Sequence, residues 1–448
     1  MNDELKRSIR GLDEELVRNN RANIELFERL SGLQTELGLL HGDRPICPFL
    51  RPFFLSRDLY SDISRAARVL SGAFAEVALA ALEEPKIAAM LRVTEKEMAW
   101  ARLDPGYRGV TVNSRLDTYL HGNDFKFLEY NAENPAGIGD QQSLKTLFNE
   151  IPEVKKFLAA NKHYFPEPHQ TLLVSLVSAY REYGGREEKP QIAIVDWDGV
   201  STSAEFEILA RYFEANGHRT LICDPEGLEY DGKALYYGDF RIDIFFKRVI
   251  IHEFLERYDE SHPLFKACRD GKVCMANAFR SKLAHKKAGF AIVTDERFAH
   301  LFTAEQLAMA KKHLPWTRRV ADERTTYAGD KVELLEFLRR ERDRFVLKPS
   351  DDYGGQGVRL GWESSESEWD AALEEALEND YVVQEKAPVD KIRIASFADG
   401  EAFHSDLLVD FDPFLFRGNV EGGMVRLSAD SIVNITQGGG ETGLVVLG

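Results

Sequence analysis

The stretch "VTVNSRLDTYLHGNDFKFLEYN", Val110 to Asn131, limits what this chain can fold into more than any other. Two runs of alternating character meet at a tight polar connection, which predicts a β-hairpin. A three-residue turn, Gly122-Asn123-Asp124, would pair His121 with Phe125, setting Asp117 opposite Glu129 and Arg115 opposite Asn131. Side chains alternate along a strand, so Arg115, Asp117, Glu129 and Asn131 share one face, while Leu116, Leu128 and Tyr130 supply the apolar one. Oxygen donors beside an arginine suit a magnesium ion bridging phosphates and a cation steadying a transferred group. A solvated polar face with a cross-strand ion pair uses the same residue types.

Bulk properties narrow the classes. A chain of 448 residues, 44% of them hydrophobic, has material for two or three domains. Its formal charge of -17 argues against a nucleic-acid partner, so an anionic ligand would need a local basic pocket. The polar start "MNDELKRSIRG" lacks a secretory signal, and no run nears the ~20 apolar residues that cross a bilayer. A cytoplasmic protein with no membrane partner is expected. Cys47, Cys223, Cys268 and Cys274 form no CxxC pair and read as reduced thiols.

The chain divides into four segments. Residues 1–100 open with an amphipathic helix over about forty positions, carried by Leu5, Ile9, Leu12, Leu16, Leu26 and Leu30. "HGDRPICPFLRP" breaks it, and a second helix follows from Tyr60 to Leu82. This segment shows no chemistry and reads as a packing or oligomerisation layer, with a homo-oligomer as the partner it implies. Residues 101–165 contain the hairpin. In residues 166–270, "QIAIVD", "TLICD" and "IDIFF" alternate with a helix that has Thr202 and Glu205 as a capping box and Asn216-Gly217 as its stop. That predicts a strand–helix–strand unit with a parallel sheet. Residues 271–448 read as helical from Ser281 to His313, with "GFAIVTD" as a strand-like insert. A strand "RFVLKPS", a loop, a helix from Glu366 to Glu378, the strand "DYVVQEKAP" and a strand-rich tail complete it. The fold class is α+β.

In "RFVLKPSDDYGGQGVRLG", Lys348 ends an apolar strand and must present its ammonium to water or an anion. Gly354, Gly355 and Gly357, with Gln356 among them, allow backbone N–H groups to approach phosphate oxygens. An ordinary glycine turn between strands has the same composition. Neither GxxxxGK[ST] nor a GxGxxG opening a helix is present. "YVVQEKAP" ends a strand in Gln384, Glu385, Lys386 and Ala387, an edge able to meet a purine, and Lys282 begins a helix from which it could reach phosphates. In the tail, Asp410, Asp412, Asn419 and Glu421 form a competing metal set that ranks below the hairpin. Arg426 and Gly438-Gly439-Gly440, with Thr436 and Gln437 nearby, suit an oxyanion, or an ordinary turn and a surface ion pair. HExxH and GxSxG do not occur.

"RLDTYL…FKFLEYNAENPAG", "FVLKPSDDYGGQGV", "VVQEKAP" and "GGMVRLSADSIVNITQGGGETGLVVL" together resemble the circularly permuted ATP-grasp ligases, among them the synthetase half of glutathionylspermidine synthase. The resemblance runs from about Ala101 to the end. It implies a permuted ATP-grasp fold in which the acidic hairpin precedes the lysine loop, with a pre-ATP-grasp-like α/β domain, a nucleotide-binding core and a lid. By that resemblance Asp117, Glu129 and Asn131 would be magnesium ligands and Arg115 would contact the transferring phosphate. Lys282 and Lys348 would bind ATP phosphates, Gly354 to Gly357 would cover them, and Gln384 to Ala387 would line the adenine pocket; Arg426, from its own chemistry, could face a carboxylate substrate or a phosphate. The implied reaction joins a small-molecule carboxylate to an amine through an acyl phosphate. An inactive ATP-binding module and a kinase-like phosphotransferase are the alternatives. "EYNAENPAG" departs from the "EYNADTP" form, and no amidase domain precedes the ligase part, so acid and amine stay open.

Overall fold

The structure, a computed structural model, describes residues 3–351, 355–431, 433 and 439–448. Gly354, Thr436, Gln437 and Gly438 therefore lie outside the described residues. An antiparallel sheet forms the centre, in the order Gly440–Thr442, Asn419–Ser428, Glu401–Phe416, Asn113–His121, Asp124–Asn131, with Lys391–Ala398 along the first half of the long strand. Its apolar face shares one core with the N-terminal helices, through Leu12, Leu16, Phe74, Leu116, Phe127 and Phe411.

The hairpin reaches the expected register at its functional end by an unexpected route. The turn has two residues, not three: His121 pairs with Asp124, and Gly122 at φ +62° supplies the positive φ that such a turn wants at its first central position. The register then runs through Thr118↔Phe127 and jumps to Asp117↔Glu129, so Leu128 is an extra, bulged residue. The bulge cancels the turn's one-residue difference, leaving Asp117 opposite Glu129 and Arg115 opposite Asn131. Leu128, expected on the apolar face, instead borders a cavity.

Strands Ile192–Val195, Thr220–Cys223 and Ile244–Lys247 make the parallel sheet expected between Gln191 and Lys247, with helix Ser203–Ala215 as the first crossover, and Cys274–Ala276 adds a fourth parallel strand that was not expected. A second core around Trp100, Phe245 and Phe254 covers its other face. A third, around Phe345, Trp369 and Leu373, supports the antiparallel sheet of Phe345–Pro349 and Tyr381–Glu385. The final strand, Leu444–Leu447, pairs in parallel with Phe53–Ser56, which ties the N-terminal segment to the last strand.

Three further expectations change. The N-terminal helix is two helices, Asp3–Asn19 and Ile24–Leu37, because the Asn23 side chain accepts the Leu26 N–H at 3.2 Å and caps a new start. Asp13 receives both arms of Arg51, at 2.7 and 2.9 Å, and the Ala395 N–H, which fastens this layer to the central sheet. "GFAIVTD" is helix Ala288–Val293; Phe290 packs on Phe74 with ring centroids 4.6 Å apart, and a short run buried on all sides has no period to separate helix from strand. Thr202 makes no capping bond, because Glu205 is turned inward. Among the described residues no helix is long and apolar enough to cross a membrane.

Candidate active site

A cavity of about 740 Å³ lies where four elements meet: the polar face of the hairpin, the C-terminal ends of the parallel strands, the Lys348 strand, and the segment after Gln384. This is the place at which open parallel sheets offer ligand sites, and the volume is that of a small-molecule pocket. Arg115, Asp117, Glu129 and Asn131 line one wall; Lys348, Gly355, Gln356 and Gln384 to Ala387 line the facing one. Lys348 Nζ stands 3.4 Å from the Leu128 carbonyl and 2.8 Å from Gln384 Oε1, so segments more than two hundred residues apart meet.

Two expected ligand-binding residues are not brought to the cavity. Lys282 is buried between Glu133 and Asp351, each carboxylate 3.2 Å from Nζ. Its short helix turns it inward, and Lys287, whose Nζ is 3.0 Å from Glu129, is the lysine of "HKKAG" that reaches the cavity. Gly357 is needed for a close approach instead: at φ +67°, a Cβ there would fall 2.6 Å from Pro349 Cγ.

The tail acids do not form a separate site. Asp410 and Asp412 converge with Asp117, ligand atoms within 4.8 Å of one another, the sole such acidic group among the described residues. Arg426 Nη2 stands 2.7 Å from Asp117, 2.5 Å from Asp410 and 2.8 Å from Asp412, and Arg115 Nε donates to Asp117 at 3.1 Å. Asn419 opens strand Asn419–Ser428 and does not line the cavity, and Glu421 accepts the Glu167 N–H at 2.8 Å. The sequence hid this because long-range pairing, Asp410 beside Tyr119 and Phe414 beside Arg115, makes the cluster.

Charge is balanced here. Burial acts to raise Asp117, but Arg115 and Arg426 outweigh it and hold its carboxyl well below the usual range. Burial, opposed by Arg426 and reinforced by Asp117 and Asp410, pushes Asp412 well above it. Three carboxylates face two guanidiniums, so one retained proton neutralises the group. Burial also lowers Lys348 to about 8, against the pull of Glu129, and Glu129 itself is lowered because Lys287 and Lys348 outweigh its burial.

A further wall was not anticipated. Asp140, Glu205 and Glu441 border the cavity beside Arg248, and Asp196, Trp197 and Glu253 continue it. Glu205 accepts the N–H groups of Ile138 and Gly139 at 2.7 and 3.3 Å and the Arg248 guanidinium at 3.4 Å. Burial and neighbouring carboxylates push Asp140 and Glu441 well above the ordinary range, and burial takes Asp196 to about 6. These residues come from separate segments with no shared motif; the one available signal was that Asp196 and Arg248 each follow a parallel strand. Leu40, His41 and Ile46 also line the cavity, so the N-terminal segment, expected to carry no chemistry, helps build the site.

The chain matches no family profile. Over 350 residues it is 24% identical to an uncharacterized protein of Mycobacterium tuberculosis (strain ATCC 25618 / H37Rv), covering 73% of this chain and 58% of that one. Over 273 residues it is 26% identical to a putative glutamate–cysteine ligase of Frankia alni, covering 56% of this chain and 29% of that one. It thus spans 58% of the length of the curated relatives it matches first. Among solved structures, a glutathione synthetase-like effector from Globodera pallida, in its apo form, superposes with a TM-score of 0.57 at 12% identity, covering 94% of this chain and 96% of that one. The fold is glutathione-synthetase-like.

Within that fold the cavity is lined by cations, among them Arg115, Lys287, Lys348 and Arg426, together with the Asp117, Glu129 and Asp410 carboxylates. Such an arrangement can take a polyanion together with a divalent cation, since each carboxylate–cation pair can re-pair with metal and phosphate. None of the four cysteines lines it, and burial raises all four thiols.

Proposed function

We propose that this chain is an ATP-dependent carboxylate–amine ligase of the ATP-grasp kind, with its parts in the permuted order. The observation that carries the reading is the hairpin's Asp117, Glu129 and Asn131 facing Lys348 across one cavity, with Arg115 and Arg426 between the acids. The donor set fits a magnesium ion: two carboxylates and an amide on a single wall, with Asn131 Nδ2 donating to Asp117 at 2.8 Å. Asp117, Glu129 and Asn131 would hold the magnesium, which would supply positive charge to offset that of the phosphates.

In this reading Lys348 and Lys287 hold the ATP phosphates, and the strand end from Gln384 to Ala387 meets the adenine. Gly355 and Gln356 close over the phosphates. Arg115 and Arg426 steady the γ-phosphoryl group as a substrate carboxylate oxygen attacks phosphorus and the bond to ADP breaks. The amine nitrogen then attacks the acyl carbon, the carbon–oxygen bond to phosphate breaks, and loss of the amine's proton leaves the amide and inorganic phosphate. The names of the Frankia and Globodera proteins favour an amino-acid or peptide carboxylate as the acid.

The test is mass spectrometry of products from a panel of acids and amines, with ADP release followed in parallel. Amine-dependent ADP and amide are expected, and Asp117→Ala and Glu129→Ala should each lose about 100-fold or more. Amine-independent phosphorylation of the acid would point to a phosphotransferase, and ATP binding without turnover to a binding module. Magnesium-dependent turnover retained in both variants would remove the metal assignment.

A further inference from the structure

Two acids of the cavity wall have no cation of their own. Glu205 is answered by Arg248, which also donates to the Pro135 carbonyl at 2.7 Å and sits over the rings of Phe206 and Phe246. Asp140 and Glu441 make no ion pair among the described residues, although they are only 8% and 2% exposed. Glu441 Oε2 has no hydrogen-bond partner, and the residue borders the cavity. A buried carboxylate left unsatisfied is expensive, so a fold that retains two together is arranged for something that arrives later.

The fold fixes their position. Gln141, next to Asp140, clamps Leu444 in both directions, its Nε2 donating to the carbonyl at 2.7 Å and its Oε1 accepting the N–H at 2.9 Å. That joins the start of helix Asp140–Phe148 to the chain just after Glu441. Glu441 in turn pairs across strands with Arg426, whose guanidinium holds Asp117 and Asp410. The unanswered acids therefore adjoin the place assigned to phosphoryl transfer.

We propose that Asp140 and Glu441 form a subsite for a primary ammonium group, that of the amine co-substrate. The inference rests on the ligase reading and adds to it the charge and position of the second substrate. An anionic acid or a phosphate would be repelled there, whereas an ammonium offers three donors to two carboxylates. A metal ion is the other cation to consider, but Asp140, Glu205 and Glu441 do not converge within the spacing that Asp117, Asp410 and Asp412 meet. Arg248 lies within the same wall, where it could receive a carboxylate on the same molecule.

The experiment uses the full chain and needs no knowledge of the natural substrate. Binding of n-butylamine, protonated at neutral pH, is measured by ligand-observed NMR with n-butanol as the uncharged control, and Mg-ATP binding is measured separately by calorimetry. The amine should bind at least tenfold more tightly than the alcohol, and Glu441→Gln and Asp140→Asn should each remove at least tenfold of that affinity. Circular dichroism confirms the fold of each variant, and either variant suffices if the other is misfolded. Equal binding of amine and alcohol, amine affinity unchanged in a folded variant, or displacement of the amine by magnesium alone with the same sensitivity to both substitutions would each overturn the subsite. Loss of Mg-ATP binding in the unsubstituted chain would instead strike the ligase reading, leaving the amine result to stand as a cation site by itself.

Discussion

The cavity contains two groups of buried acids that behave in opposite ways. Asp117, Asp410 and Asp412 surround Arg426 and Arg115, and each has a guanidinium nitrogen within 2.8 Å. Asp140 and Glu441, on the adjoining wall, face Glu205 as well as each other; Arg248 offsets part of the charge at Asp140 and Arg115 and Arg426 part of that at Glu441, but neither acid has an ion pair among the described residues. The first group contributes to holding the hairpin against the long strand Glu401–Phe416 and is ready for use; the second weakens the empty protein and waits for a ligand. The same residue type at similar burial thus has opposite effects on stability, decided by whether a cation stands within about 3 Å.

The largest effect should come from breaking the paired group. Asp117→Asn leaves two buried guanidiniums facing too little negative charge, and a loss of about 3–5 kcal/mol is expected, read as a lowered urea midpoint. Lys348→Met should do the reverse in the absence of ligand, since burial lowers this lysine to about 8 and the folded state disfavours its charge. With the folded value below that of the unfolded chain, the penalty is complete below about pH 8 and fades toward the unfolded value near 10.4. A gain of about 1–3 kcal/mol at neutral pH is expected, together with loss of Mg-ATP binding. In the unsubstituted protein, Mg-ATP affinity should fall as pH rises through about 8.

Glu441→Gln tests the comparison at its other end. The folded-state pKa of Glu441 lies well above the unfolded one, so its penalty is absent in acid and grows as pH rises past the ordinary carboxylate range. The Gln variant should be about 1–2 kcal/mol more stable at pH 7 and lose that advantage near pH 4. A destabilised Gln variant at neutral pH would mean that Glu441 is already satisfied and that the two groups do not differ.

How much of this could be read from the chain follows the range of the interactions. The face made by Arg115, Asp117, Glu129 and Asn131 was legible because a hairpin is local, and it survived a wrong turn length because the bulge at Leu128 compensated. The lysine strand was legible from its apolar run and Pro349. Lys282 was misplaced because helix phase over five residues decides which of Lys282, Lys286 and Lys287 faces the cavity, and Ser281–His285 is too short to show a period. Asp410 and Asp412 were seen but separated from Asp117, and Asp140, Glu205 and Glu441 were missed, since only pairing between distant strands brings them together.

Asp196 lies between the two extremes and gives the smallest but most discriminating test. It follows strand Ile192–Val195 on the cavity rim, where burial raises it to about 6 while Arg248 and Lys247 pull the other way. Partial answering of its charge should therefore give a partial penalty. Being raised in the folded state, the group costs nothing below about pH 3.9, costs more through the interval up to 6, and stays constant above. Asp196→Asn should accordingly gain about 1 kcal/mol at pH 7, less than Glu441→Gln, and nothing near pH 3.5. If the two variants gained equally, proximity of Arg248 would not be what grades the wall, and the division between answered and unanswered acids would have to be drawn by burial alone.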